Sequence, residues 1–141
     1  MKRVVLDESA LLVFLKDCDG AEEVEQLLQK ALIGEVAVLI PVSTWSAVSS
    51  AVLRSKGRNA GEQLLSQLCQ LPLSFVDIDH AGAQKAADLA AADAEVGLLT
   101  SFAGAVAYQR KATLVSANGV PPSLERQLKV QRVGVADKDK R

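Results

Sequence analysis

Aromatic side chains are scarce in this chain: Phe, Tyr and Trp together make up 4% of 141 residues. Small residues, Ala and Gly, are plentiful instead, which favours closely packed helices over a β-sandwich. The two cysteines, Cys18 and Cys69, share no metal-binding or redox spacing, so a disulfide scaffold and a zinc module are both disfavoured and reduced, cytoplasmic thiols are expected. Histidine occurs once, as His80, with no Cys or Ser beside it in a recognisable motif, which argues against nucleophilic triad chemistry. Charge of one sign is also missing. The formal net charge is −1, so there is no global basic field for nucleic acid, and any RNA contact would rest on a local patch. No apolar run approaches the ~20 residues of a membrane span, and the basic Met1-Lys2-Arg3 runs straight into Asp7-Glu8, which makes a poor signal peptide. Neither G-x-G-x-x-G nor a P-loop occurs, so a nucleotide-binding reading has no motif.

Against these absences, 49% of the residues are hydrophobic, enough for a core without disulfides or metal. One domain, residues 1–136, is expected, followed by a charged tail, residues 137–141. The stretch Met1 to Leu15 organises the reading. Val4-Val5-Leu6 is a short apolar run of the kind found in fully buried parallel strands. Asp7 stands at its C-terminal tip, where open α/β sheets place their ligands, and reads either as a ligand or as a helix-capping carboxylate accepting backbone N–H bonds; Ser9 is a second candidate cap of the helix carrying Leu11, Leu12, Phe14 and Leu15.

The same alternation continues down the chain. An amphipathic helix is predicted over Ala21 to Leu32, with an Asp19/Glu22 capping box before it and Gly34 ending it. Val36 to Ile40 is a second buried strand, closed by Pro41. A helix capped by Ser43 or Thr44 then runs to Lys56-Gly57, and another, with an Asn59/Glu62 box, carries Leu64, Leu65, Leu68 and Leu71 up to Pro72. Leu73 to Ile78 is a third strand, Asp79 caps an Ala-rich helix from His80 to Ala92, and Thr100 to Lys111 is a further helix. Ala112 to Val115 is a fourth strand, Asn118 to Pro122 a loop, and Val130 to Val135 a last edge strand. Strands separated by helices predict an α/β fold: a three-layer sandwich with a central, mostly parallel sheet of four to five strands flanked by helices.

Four stretches carry a resemblance: Val4 to Leu12, Ile40 to Thr44, Asp77 to His80, and Ala112 to Asn118. In order and spacing they are similar to the PIN-domain family, in particular the compact VapC-type toxins of prokaryotic toxin–antitoxin pairs. The resemblance implies a Mg²⁺- or Mn²⁺-dependent ribonuclease in which three or four carboxylates converge at the C-terminal edge of the sheet. A hard dication requires oxygen ligands, and the reaction requires it to generate a nucleophile beside a charged phosphodiester. Carried over position by position, Asp7 keeps the first acid. Ala47 stands at the second, Phe102 at the third and Asn118 at the fourth, where only a neutral oxygen is left.

A unit-charge pair 4 Å apart at an effective dielectric of ~20 is worth about 4 kcal/mol. Losing part of that, at about 1.4 kcal/mol per tenfold in affinity, weakens a dication site by orders of magnitude. The Phe102 ring is expected to fill the volume where the ion and its waters would sit. The expectation is therefore a degenerate PIN-like domain with Asp7 as a catalytic remnant and Asn118 as a weak contributor. Asp7 is the only metal position, no resident metal is expected, and the role is binding. Expected partners are an antitoxin-like protein, RNA or a second copy as a homodimer, with no membrane. The rival is an active nuclease using Mg²⁺ or Mn²⁺, with replacement acids such as Glu8, Asp93 or Glu95. A third reading is an unrelated flavodoxin-like binding domain, since one fold hosts many functions. Trp45 reads as core, and Arg54, Lys56 and Arg58 as a solvated face. Arg110-Lys111 complements a helix dipole.

Overall fold

The computed structural model describes residues 1–117 and 119–134; the expected tail, Val135 and Asn118 lie outside them. A sheet of five parallel strands runs through the middle: β1 (Lys2–Leu6), β2 (Val36–Pro41), β3 (Leu73–Val76), β4 (Thr113–Ser116) and β5 (Val130–Arg132), in the order β3-β2-β1-β4-β5. The chain winds outward from β1 to β3, then returns to the other side of β1 for β4 and β5. The strand order therefore reverses between β1 and β4.

β1 is central because both of its faces are apolar. Successive strand side chains point to opposite faces. Val4 and Leu6 enter a core with Val36, Val38 and Ile40 of β2 and with α1 (Glu8–Leu15), α2 (Ala21–Leu32) and α3 (Val42–Lys56). Val5 points the other way, into a core with Leu39, Leu114 and Ala103, Val106 and Ala107 of α6 (Leu98–Arg110). Outside α6 lies α5 (His80–Ala92), where Gly104 permits the close approach that brings Leu89 against it: a Cβ on Gly104 would stand 3.3 Å from Leu89 Cδ1. Helices thus cover both faces, as the sequence pattern predicted. Among the described residues no helix is long and apolar enough to cross a membrane.

The helix starts are where the sequence expectations need correction. Asp7, not Ser9, is the N-cap of α1, its side chain accepting from Ala10 N. Pro41 holds the extended N-cap position of α3, which begins at Val42, so Ser43 and Thr44 are already inside the helix and cap nothing. Gly20, in the left-handed region at φ 102°, occupies the N-cap of α2 and displaces the Asp19/Glu22 box. Its Cβ, if present, would collide with Gly134 backbone, so the close approach of those two segments requires glycine. The helix α4 (Arg58–Leu68) starts before Asn59, and Glu62 instead pairs with Arg58 at 3.0 Å. That helix ends before Leu71, and β3 ends before Ile78. The segment taken as loop up to Pro122 leads into a short helix, α7 (Pro122–Gln127), with Pro122 in its first turn, where a missing N–H costs nothing. Asp79 caps α5 as expected, accepting from Gly82 N at 2.7 Å.

Candidate functional site at the C-terminal edge of the sheet

Open parallel sheets bind ligands outside the carboxyl ends of their strands, where the strand order reverses. Here that place lies between Asp7, after β1, and Ser116, which ends β4. Asp7 is buried, with 2% of its surface exposed. Its backbone N–H donates to Val115 O at 3.1 Å, which ties the tip of β1 to β4. Its carboxylate Oδ1 accepts from Ala10 N at 2.9 Å and from Ser9 Oγ at 2.6 Å. Ser9 Oγ lies 3.2 Å from Ser116 Oγ and accepts from Ala117 N at 2.9 Å. One oxygen of the acid is thus committed twice to holding the helix start and a serine that bridges to β4.

The other buried polar side chains at helix starts are hydroxyls. Thr44, in the first turn of α3, is fully buried, and its Oγ1 has no hydrogen-bond partner. Ser101, in the first turn of α6, donates to Leu98 O at 2.6 Å. α6 delivers the chain to the N-terminal end of β4, so its opposite end, with Ser101 and Phe102, is directed toward this edge. Phe102 and Ala47 are partly buried on α6 and α3 and offer no ligand oxygen. Among the described residues, no group of three or more His, Cys, Asp or Glu is placed to hold a metal ion.

The candidate replacement acids are not brought to Asp7 as a cluster. Asp93 is held by Glu95 N at 2.9 Å and Ser123 Oγ at 2.8 Å, and those hydrogen bonds keep its carboxyl below the ordinary range. Glu95 is exposed. Glu8 is different. It is half-buried next to Asp7, and its Oε2 is buried without a partner. Burial pushes its carboxyl above the ordinary 4.5, with a smaller push from the Asp7 charge and an opposing hydrogen bond from its own backbone. The fold therefore disfavours the charged form of Glu8. Its cost to stability is absent well below about pH 4.5 and appears as pH rises through the raised value. Glu8→Gln is accordingly expected to stabilise the protein at neutral pH by roughly 0.5 kcal/mol, a figure reduced for its partial solvation, and to do nothing at about pH 3. Urea melts at the two pH values measure it.

The sequence matches the PIN domain family over residues 4–121. The chain belongs to the PIN-domain family. Solved structures agree with that assignment in fold. VapBC-1 from nontypeable Haemophilus influenzae superposes with a TM-score of 0.72 at 15% identity, over 92% of this chain and 97% of that one. VapBC2 from Rickettsia felis, bound to a DNA fragment from its promoter, gives 0.70 at 16% identity over 93% and 98%. VapC20 of Mycobacterium tuberculosis, a Sarcin-Ricin loop cleaving toxin, gives 0.64 at 11% identity over 92% and 98%. No curated protein sequence matches.

Within this PIN domain the other singled-out residues fall as follows. His80 is exposed in the first turn of α5. Trp45 is partly buried against the core and meets the exposed Phe75 edge-on, with centroids 5.1 Å apart. Arg54 donates to Ser50 and Arg58 to Glu62, both on the protein surface. Arg110 and Lys111 end α6. Sequence reasoning did not foresee the Ser9–Ser116 contact or the buried Thr44 and Ser101; Ser-Ala-Asn at the end of β4 was a visible signal only for Ser116.

Proposed function

We propose that this PIN domain acts by binding and not by cutting RNA, its metal centre having been replaced by a hydrogen-bonded plug of hydroxyls around a single acid. The observation that carries this reading is the commitment of Asp7 Oδ1 to Ala10 N and Ser9 Oγ, with hydroxyls, Ala47 and Phe102 standing where further acids would be needed. In this reading Asp7 is a remnant with a structural task, Phe102 fills the volume an ion would need, Asn118 contributes at most a neutral oxygen, and the protein has no resident metal.

An antitoxin-type protein is the partner best supported, because solved VapBC assemblies share this fold. A cleft of about 390 Å³ between α1, α3 and α4 offers a suitable seat. Leu12, Leu15, Val52 and Leu64 make its floor, and Lys16 and Lys56 stand at its rim. Such a lining fits an amphipathic helix with acidic flanks. A second copy of the chain and RNA are the other partners this reading admits.

A catalytic alternative draws on one observation, the unpartnered Glu8 oxygen one residue from Asp7. Against it, Asp7 Oδ1 is already engaged by Ala10 N and Ser9 Oγ, and two carboxylates are fewer than the three or four that the family resemblance implies for cleavage. The test is a cleavage assay on structured RNA with Mg²⁺ or Mn²⁺, comparing the native chain with Asp7→Asn. The expected result is no cleavage by either above background. Metal-dependent cleavage by the native chain that disappears in Asp7→Asn would establish the catalytic alternative.

A further inference from the structure

The opposite edge of the sheet carries a feature that the buried Asp7 network does not use. Three adjacent parallel strands begin there, β1 at Lys2, β4 at Thr113 and β5 at Val130. A cleft of about 560 Å³ opens between these strand starts and the end of α6. Lys2, Arg3, Lys111 and Lys129 line it, and among the described residues no carboxylate does. In a chain whose net charge is −1, four cations around one cleft are a local concentration and not a consequence of composition.

Neighbouring strands lie about 4.8 Å apart and Lys129 is level with Val4, two residues along from Lys2, so Lys2 and Lys129 stand roughly 12 Å apart at the backbone, across β4. Lys111, just before β4, falls between them. Arg3 Nη1 donates to Arg110 O at 3.1 Å, which fixes its guanidinium at the end of α6. Tyr108 also lines the cleft; it is 52% exposed, and Lys85 Nζ lies 4.0 Å from its ring centroid. Complementing the negative end of the α6 dipole accounts for Arg110 and Lys111. It does not account for Lys2 on β1 or Lys129 before β5.

We propose that this cleft binds the phosphate backbone of a single-stranded nucleic acid, with Tyr108 as a stacking surface for a base. A row of cations alone would suit any polyanion. An exposed ring beside the row suits a strand that alternates phosphates with bases, because stacking tolerates any base. The cleft is separate from the buried Asp7 network: Val4, Val5 and Leu6 lie between Arg3 and Asp7, a span of roughly 13 Å. It does not depend on whether the C-terminal edge is catalytic.

Fluorescence anisotropy with a labelled single-stranded oligoribonucleotide of mixed sequence tests it. The native chain should bind at low salt, with log affinity falling against log salt at a slope of about −2 to −3, as expected for three or four neutralised phosphates. Lys2→Glu with Lys129→Glu should weaken binding more than tenfold and flatten the slope. Tyr108→Ala should weaken it about tenfold with the slope unchanged. Arg54→Glu with Arg58→Glu makes the same change in net charge elsewhere and should alter affinity less than twofold. If the double cleft variant melts early, Lys129→Gln alone should still give about threefold in the same direction. No binding at low salt, equal losses in the two double variants, or a silent Tyr108→Ala with polyglutamate displacing the RNA would each overturn the proposal.

Discussion

Placing acids where the family resemblance expects them, through Ala47→Glu, Phe102→Asp and Asn118→Asp, is expected to raise Mn²⁺ affinity well above that of the native chain and to destabilise the protein when the ion is withheld. Each added carboxylate brings attraction to a dication of up to about 4 kcal/mol per charge pair at an effective dielectric of ~20. Even partial recovery amounts to tenfold for every 1.4 kcal/mol or so. Without the ion, the same carboxylates repel one another and Asp7, and the partly buried ring of Phe102 is lost. A stability loss of about 1–3 kcal/mol is expected from these causes. Mn²⁺ at a hundredfold excess over its dissociation constant should return about 2.7 kcal/mol. Calorimetric titration with Mn²⁺ and thermal melts with and without it measure both halves. Equal Mn²⁺ affinity in the native chain would mean that the native residues already form the site, contrary to the reading offered here.

Removing the Asp7 side chain should be costly, and neutralising it should not. Asp7→Ala takes away the cap of α1, worth about 1 kcal/mol. It also strips Ser9 Oγ of its acceptor in a buried setting, worth about another 1–3 kcal/mol. The expected total is about 2–4 kcal/mol. Asp7→Asn keeps an oxygen acceptor, and asparagine caps as well as aspartate, so less than about 1 kcal/mol should be lost. Denaturant melts of the two variants decide between a structural carboxyl and a charge that matters for itself. A purely catalytic carboxylate would make the two variants equally inactive and similarly stable; a structural one separates them in stability. If Asp7→Asn proves as damaging as Asp7→Ala, the negative charge has a partner that the hydrogen bonds to Ala10 and Ser9 do not reveal.

Much of the fold was legible because its signals are local. The boundaries of α2 and α5 coincide with the helical repeat of Val24, Leu27 and Leu28 and with the Asp79 cap. Helix caps were misplaced for a specific reason. Ser, Thr, Asp and Asn all favour the position, and spacing alone does not reveal which residue keeps an extended backbone. At α1 it is Asp7 in place of Ser9, at α2 it is Gly20, and at α3 Pro41. The short α7 escaped notice because six residues with a single buried side chain, Leu124, show no periodicity. At the candidate site, Asp7 was legible from its place at a strand tip. Its partner network was not, because Ser9 and Ser116 are 107 residues apart. The cationic cleft was equally hidden, since Arg3, Lys111 and Lys129 share no spacing.

By itself, then, the order of residues determined a parallel α/β sheet with β1 inside it, an aspartate at its tip, and the want of acids at Ala47 and Phe102. Those follow from side-chain chemistry and from periods of two and 3.6, which act over a few residues. Only the tertiary structure decided that β4 lies against β1, and so that Asp7 ends in a web of serines while four cations gather at the far edge. Strand pairing joins backbones distant in sequence, and the neighbours it creates leave no periodic trace along the chain.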